Sequence, residues 1–248
     1  KPVMQSRQFM FDYVIGELNS IEAELPAPRT NEYGRADKAA VWMLKSKLFI
    51  NGKVYTGTDK STEALAEVEK VIGSAYKVAQ IPYANLFKAD NNTNGAQEEI
   101  IFPINFDGIQ TKTYGGTTYL IHASCTTEVG TTLGIDFGWQ GFRVRQEFMN
   151  SVGNDQRVMR VAGSTDPAFI SDYSKFDQGS KLIKFSNKTS SGGNGSDANF
   201  TDADFPIFRM ADAYLMYAEL AVVNGKGSIG TALTYINALR TRGGAAIV

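Results

Sequence analysis

Residues 205–243 read FPIFRMADAYLMYAELAVVNGKGSIGTALTYINALRTRG. Apolar residues at Phe208, Leu215, Ala218 and Val222 recur at helical spacing, and Ala232, Ile236 and Leu239 do so again after a turn carrying Gly225 and Gly227. Ala211, Ala213, Ala218 and Ala221 are small enough to let two helices approach closely. The segment therefore predicts a helical hairpin over 205–242. An earlier stretch repeats the design: GRADKAAVWMLKSKLFINGKVY (34–55), then ALAEVEKVIGSAYKV (64–78). Asp37 is a good N-cap, with Val41, Leu44 and Leu48 facing inward and Trp42 beside them; Asn51 and Gly52 stop that helix. Thr62 is a candidate cap for its partner, whose face is Leu65, Val68 and Ile72 before Gly73. Two hairpins, 35–78 and 205–242, predict a mainly α chain built of tetratricopeptide-like helix pairs. They stand too far apart to count as a strict repeat of about 34 residues. The question becomes what the insert, 83–204, binds.

The 248 residues suffice for one large domain or two small ones, and 43% hydrophobic with 21% charged residues can bury a real core. A net charge of −1 with no basic block gives no footing for nucleic acid or an anionic membrane. Cys125 is the single cysteine, so no internal disulfide forms; its apolar neighbourhood marks a small core hydrophobe. No apolar run approaches the roughly 18–20 residues of a spanning helix. A first helix is expected over 3–25, with Phe11, Val14, Ile15, Leu18, Ile21 and Leu25 on one face, broken only by Glu22, and Pro26 and Pro28 ending it. Both ends read as those of a piece of a larger chain.

In the insert, EIIFPINF (99–106) reads as an edge or irregular strand because of its proline. TTYLIH (117–122) and LIKF (182–185) are further strand candidates, and SSGGNGS (190–196) reads as a flexible loop. His122 is the one histidine, with no cluster of Cys, Asp or Glu at ligand spacing around it, which favours a structural role. No serine sits in a nucleophile-elbow motif, and NGKGS (224–228) lacks the phosphate-loop spacing. Glu98 and Glu99 would serve glycoside hydrolysis only if the fold set two acids across a cleft. Asp90, Asn92 and Asn94 alternate as in a calcium loop, with Gly95 sixth; but the twelfth position is Ile101, and Glu98 comes too early. An Asn-rich turn is the plainer reading; a candidate calcium set of Asp90, Asn92, Asn94 and Glu98 is the alternative.

The aromatics are the strongest cue to a ligand. TYGGTTY (113–119) places Tyr114 and Tyr119 around a Gly-Gly break, and GIDFGWQG (134–141) places Trp139 among glycines. Rings with so little local packing often lie on a surface, where the flat C–H face of a sugar can lie against them. They can equally fill the seam between insert and helices. Composition leaves both readings open.

These residues also resemble a known family. Phe205-Pro-Ile-Phe-Arg209, Leu215-Met-Tyr-Ala-Glu219 and Ile236-Asn237 followed by Arg240-Thr-Arg242 match the Pro-x-x-Arg, Leu-x-x-Ala-Glu and Ile-Asn-x-x-Arg-x-Arg pattern of the SusD/RagB family, the surface glycan-binding lipoproteins of Bacteroidetes outer membranes. GRADKAA, VIGSAYK, LFKADN and TYGGTTYL are similar to its starch-binding member, and NDQR (154–157) resembles the family's Asp-x-Arg turn. The resemblance implies one tetratricopeptide-like domain with a glycan-binding face and no catalysis. It implies an α-glucan such as starch as ligand, a TonB-dependent SusC-like transporter as partner, and an outer-membrane location through an N-terminal lipid anchor outside these residues. By position it assigns Tyr114 and Trp139, with Tyr119 beside them, to the glycan, and sets the Asp90–Asn94 turn at a calcium-associated loop. The alternative function is a tetratricopeptide-like protein-interaction scaffold without glycan binding.

Overall fold

A computed structural model describes residues 3–153, 155, 157, 159–160, 169–176 and 178–248. Helix α1 spans Arg7–Glu22, with the Ser6 hydroxyl accepting from the Phe9 amide as its N-cap. It is shorter at both ends than the apolar spacing predicts. The break that Glu22 makes in its apolar face has a purpose: its carboxylate accepts from the Trp42 indole at 2.7 Å and pairs with the buried Lys45, which docks α1 on α2 (Lys38–Ile50). Asp37 caps α2 as expected, accepting from the Ala39 and Ala40 amides. Its other oxygen accepts from the Arg29 amide and the Tyr76 hydroxyl, so one buried carboxylate also ties down the chain on either side of the hairpin. A short helix α3 (Gly52–Thr56) precedes α4 (Ser61–Ile72). Thr62 does not cap α4; Asp59 does the equivalent work by accepting from both the amide and hydroxyl of Ser61.

The late hairpin needs one correction. FPIFR is not helical: Phe205–Arg209 is a strand, β4, that pairs antiparallel with β1 (Ile100–Ile104). Phe102 faces Phe208 and Pro103 faces Pro206, so two residues without amide donors sit opposite each other and the register shifts beside them. Helix α8 (Met210–Val223) begins only after β4, and α9 is Ile229–Arg242. Leu215 and Val222, expected inside, are 50% and 68% exposed. Because α8 is apolar nearly all round, periodicity alone does not select its inner face; Met216, Tyr217, Leu220 and Ala221 are the residues that pack. Helices α2, α4, α8 and α9 stack into one core with β1 against them.

The insert builds a second core around Leu86, Phe87, Ile121, Ile135 and Phe185. TTYLIH is helical, not extended: α5 is Gly116–His122. Thr117, Thr118, Ile121 and His122 are buried together while Tyr119 is not, which is a helical face rather than a strand's alternation. Then come α6 (Thr127–Thr132), α7 (Gln146–Val152), and the short pair β2 (Met159–Arg160) with β3 (Leu182–Ile183), the latter within the predicted LIKF strand. The 190–196 loop is held rather than loose: the Ser190 amide and hydroxyl donate to Asp90, and those of Ser196 to Asp202. In the Asp-x-Arg turn, Asp155 accepts from the Arg157 guanidinium, which holds its carboxyl down at about 2. Asn154 and Gln156 of that stretch lie outside the described residues.

Glu99, fully buried, joins the two cores. It pairs with Arg209 at the end of β4 (2.9 Å) and with Arg242 at the end of α9, and accepts from the Ala79 amide (2.9 Å). Glu99→Ala leaves two largely buried guanidinium groups without their anion. A loss of about 3–5 kcal/mol in unfolding free energy is expected, read from urea denaturation.

Asp204 supplies a second, pH-dependent test. Burial pushes its carboxyl up to about 6 against the opposing pull of the Phe106 amide, which donates at 2.7 Å. The Tyr33 hydroxyl faces the same carboxyl and also pulls it down, while burial raises the hydroxyl's own value. A folded-state value above the ordinary one of about 3.9 means that Asp204 favours folding below about pH 4 and that this contribution is lost as pH rises through about 6. Asp204→Asn is expected to flatten the stability profile between those limits by about 2 kcal/mol, measured by denaturant unfolding along a pH series.

Candidate functional site

The sequence around the predicted rings makes a surface of backbone fitted against one helix end. Gly116 opens α5 with φ +56°, and a Cβ there would come 2.0 Å from the Phe106 ring, so only glycine lets the chain turn at this point. Tyr114 projects just before that turn, and Tyr119 lies on the outer side of α5. At the other end of α5, carbonyls that a short helix leaves free are taken by the next segment. The Trp139 amide donates to the His122 carbonyl at 2.8 Å, that of Gln140 to Cys125 at 3.2 Å and that of Phe142 to Ala123 at 2.9 Å. Gly138 is required for this approach: a Cβ there would sit 2.3 Å from the Cys125 carbonyl oxygen. The glycines around Trp139 thus press its backbone onto α5. The buried Cys125 thiol packs below, its Sγ directed at the Ile121 carbonyl.

The rings expected at the site converge. Tyr114 and Trp139 have centroids 5.9 Å apart, and Tyr119 and Trp139 6.2 Å apart, with planes tilted by 56° and 51°. Tyr114 is 62% exposed and Tyr119 46%, while Trp139 is partly buried. Phe200 joins at 5.0 Å from Tyr114, with the Lys112 ammonium 5.9 Å above it, and Phe137 lies 6.3 Å from Trp139. The Phe200 loop is tied to α5 through Thr201, whose amide donates to Thr118 and whose hydroxyl meets Thr117 and Thr118. Three loops and one helix thus share a single aromatic patch.

The calcium candidates take other partners. Burial opposes ionisation of Asp90, but donation from Ser190 and Asn94 outweighs it and holds the carboxyl below its ordinary range. Asn94 also donates to the Asn85 carbonyl and accepts from the Ala96 amide, and Asn92 is exposed. Glu98 accepts both guanidinium nitrogens of Arg29 at 2.6 and 2.7 Å, which lowers its carboxyl, with Lys77 at 3.4 Å. Among the described residues no group of three or more His, Cys, Asp or Glu is placed to hold a metal ion. A separate open cavity of about 450 Å³ lies between the insert and α8, with Phe87, Phe142, Phe185, Lys184 and Arg209 in its wall, and none of the three predicted rings lines it.

Sequence reasoning missed Phe200, Phe137 and the placement of His122. Phe137 carried a signal, since it stands in the same Gly-rich stretch as Trp139. Phe200 carried none, because its neighbours Asp197, Ala198, Asn199 and Thr201 read as an ordinary polar loop.

Comparison with known proteins agrees with this architecture. The signature of the SusD family matches residues 146–247. The starch-binding protein SusD of Bacteroides thetaiotaomicron is 33% identical over an alignment covering 97% of the chain and 51% of that protein. Among solved structures, a surface glycan-binding protein A from Bacteroides uniformis superposes with a TM-score of 0.67 at 20% identity, covering 97% of this chain and 51% of that one. A laminarin-binding SusD-like protein does so with a TM-score of 0.70 at 19% identity, covering 97% and 55%. The chain spans about half the length of each of these relatives.

Proposed function

Because the chain belongs to the SusD family, we propose that it binds polysaccharide or oligosaccharide without cleaving it, and that the glycan lies on the patch of Tyr114, Tyr119 and Trp139. The observation that carries this reading is the convergence of those rings with two of them well exposed. Large rings left in solvent as a contiguous group are uncommon unless they meet a partner. Sugar C–H faces match aromatic faces, and the Thr, Gln and Asp side chains of the same loops suit hydroxyl groups. An α-glucan is the first choice of ligand: the starch-binding relative shares 33% identity, and the laminarin-binding one 19%. The 51° and 56° tilts between neighbouring rings also suit a polymer that curves rather than a flat ribbon. In the full-length protein this patch would hold glycan at the outer face of the outer membrane for a TonB-dependent, SusC-like transporter, with a lipid anchor outside these residues supplying attachment.

Maltoheptaose titration by calorimetry tests the reading, with a laminarin oligosaccharide as comparison. Tyr114→Ala and Trp139→Ala are each expected to weaken maltoheptaose about tenfold, about 1.4 kcal/mol, with a smaller loss for Tyr119→Ala. Unchanged affinity in both would remove these rings from the site, and preference for the laminarin ligand would replace the α-glucan. Starch incubated with the protein should release no reducing ends. Calcium is not required in this reading, so EDTA is expected to leave the affinity within about twofold; the Asp90 and Glu98 carboxylates accept from Ser190 and Arg29.

A further inference from the structure

Beneath Trp139 lies the chain's one histidine, and its contacts go beyond filling space. His122 is the last residue of α5 and is fully buried. Its Nδ1 lies 2.7 Å from the Phe137 carbonyl oxygen and its Nε2 3.1 Å from that of Asn199. Both partners can only accept, so each ring nitrogen that carries a hydrogen donates to a different loop. One of these loops carries Phe137 and Trp139; the other carries Phe200. Held at both corners, the imidazole stacks on the Trp139 indole with centroids 4.6 Å apart and planes 22° apart. Its main-chain carbonyl accepts the Trp139 amide at 2.8 Å. A single residue thus addresses both the backbone height and the ring plane of Trp139. An apolar side chain of the same size would fill the volume but leave both loop carbonyls without a ring nitrogen against them.

We propose that His122 is the positioning residue of the ring patch: its imidazole sets the plane of Trp139 by stacking and stands between the Trp139 loop and the Phe200 loop, with one ring nitrogen against a main-chain carbonyl of each. The consequence for affinity rests on the glycan reading above; the positioning does not. It is a matter of preorganisation, since rings already fixed in the binding geometry lose less freedom when ligand arrives.

The test uses the full chain carrying Trp42→Phe, so that Trp139 is the one remaining indole. His122→Gln keeps an amide donor and loses the stacked ring; His122→Phe keeps a ring and loses both ring nitrogens. Each is expected to change the emission of Trp139 without ligand and to weaken maltoheptaose about threefold to tenfold, with helical circular dichroism unaltered. If both variants keep the parent's emission and affinity, the proposal is overturned. If the parent itself does not bind maltoheptaose, the glycan reading fails and the emission comparison alone decides the positioning. Where neither variant folds, the unaltered, untagged chain decides: with one histidine, ¹⁵N-imidazole NMR is unambiguous. A slowly exchanging, hydrogen-bonded ring N–H with cross-peaks to the Trp139 indole supports the proposal; a solvent-exchanging ring without them overturns it.

Discussion

The structure depends on one buried carboxylate. Glu99 lies between two cores, held by Arg209, Arg242 and the Ala79 amide, and its carbonyl accepts the Met210 amide at 3.0 Å. An ionised group in such a place is tolerated only when every strong hydrogen-bonding direction is met. Meeting them forces the start of β1, the junction of β4 with α8, the end of α9 and the segment after α4 to one point. Both ends of the insert are thereby clamped to the helical stack. The described residues of the insert pack around a core of their own, instead of trailing from the scaffold.

Within that body, α5 has the role that Glu99 has between the cores. Its inner face offers hydroxyls and an imidazole rather than aliphatic groups alone, and together they reach two loops: Thr117 and Thr118 meet Thr201 and His122 meets Asn199 in one, and His122 meets Phe137 in the other. Its free carbonyls hold the Trp139 segment by backbone bonds. Directional contacts suit this task better than apolar packing, which is indifferent to small slips. The rings at the surface inherit the order of the polar groups beneath them.

Much of the scaffold was legible because it follows from local rules. Asp37 is a cap at a fixed offset from its helix, whereas Glu22 reads only as a break in an apolar stripe until the fold brings Lys45 to it. Tyr114, Tyr119 and Trp139 could be singled out because glycines deprive them of local packing. The misreadings came where a partner distant in sequence decides the conformation. FPIFR is drawn into a strand by residues 100–104, more than 100 positions away, and TTYLIH carries β-branched residues that serve a helix because Thr201 needs their hydroxyls. The Asp90 turn has calcium-like spacing, and in the fold its carboxylate accepts from Ser190, 100 residues on, a contact no local pattern announces. Spacing shows which groups are available, and only tertiary structure shows which are already engaged.

The same reasoning explains why the aromatic patch sits on loops at all. A flat ring exposed on a long, free loop would be ordered only by its ligand, and the ordering cost would be subtracted from affinity. Here the loops are short of freedom before any ligand arrives. Gly116 and Gly138 allow backbone approaches that any Cβ would forbid, and the helix end converts those approaches into hydrogen bonds. Replacing the glycines by larger residues would not remove a single ring from the patch, yet it would remove the geometry that brings the rings together. In the glycan reading proposed above, specificity resides as much in the residues that cannot touch a ligand as in those that can, and the buried polar face of α5 orders the rings that would meet it.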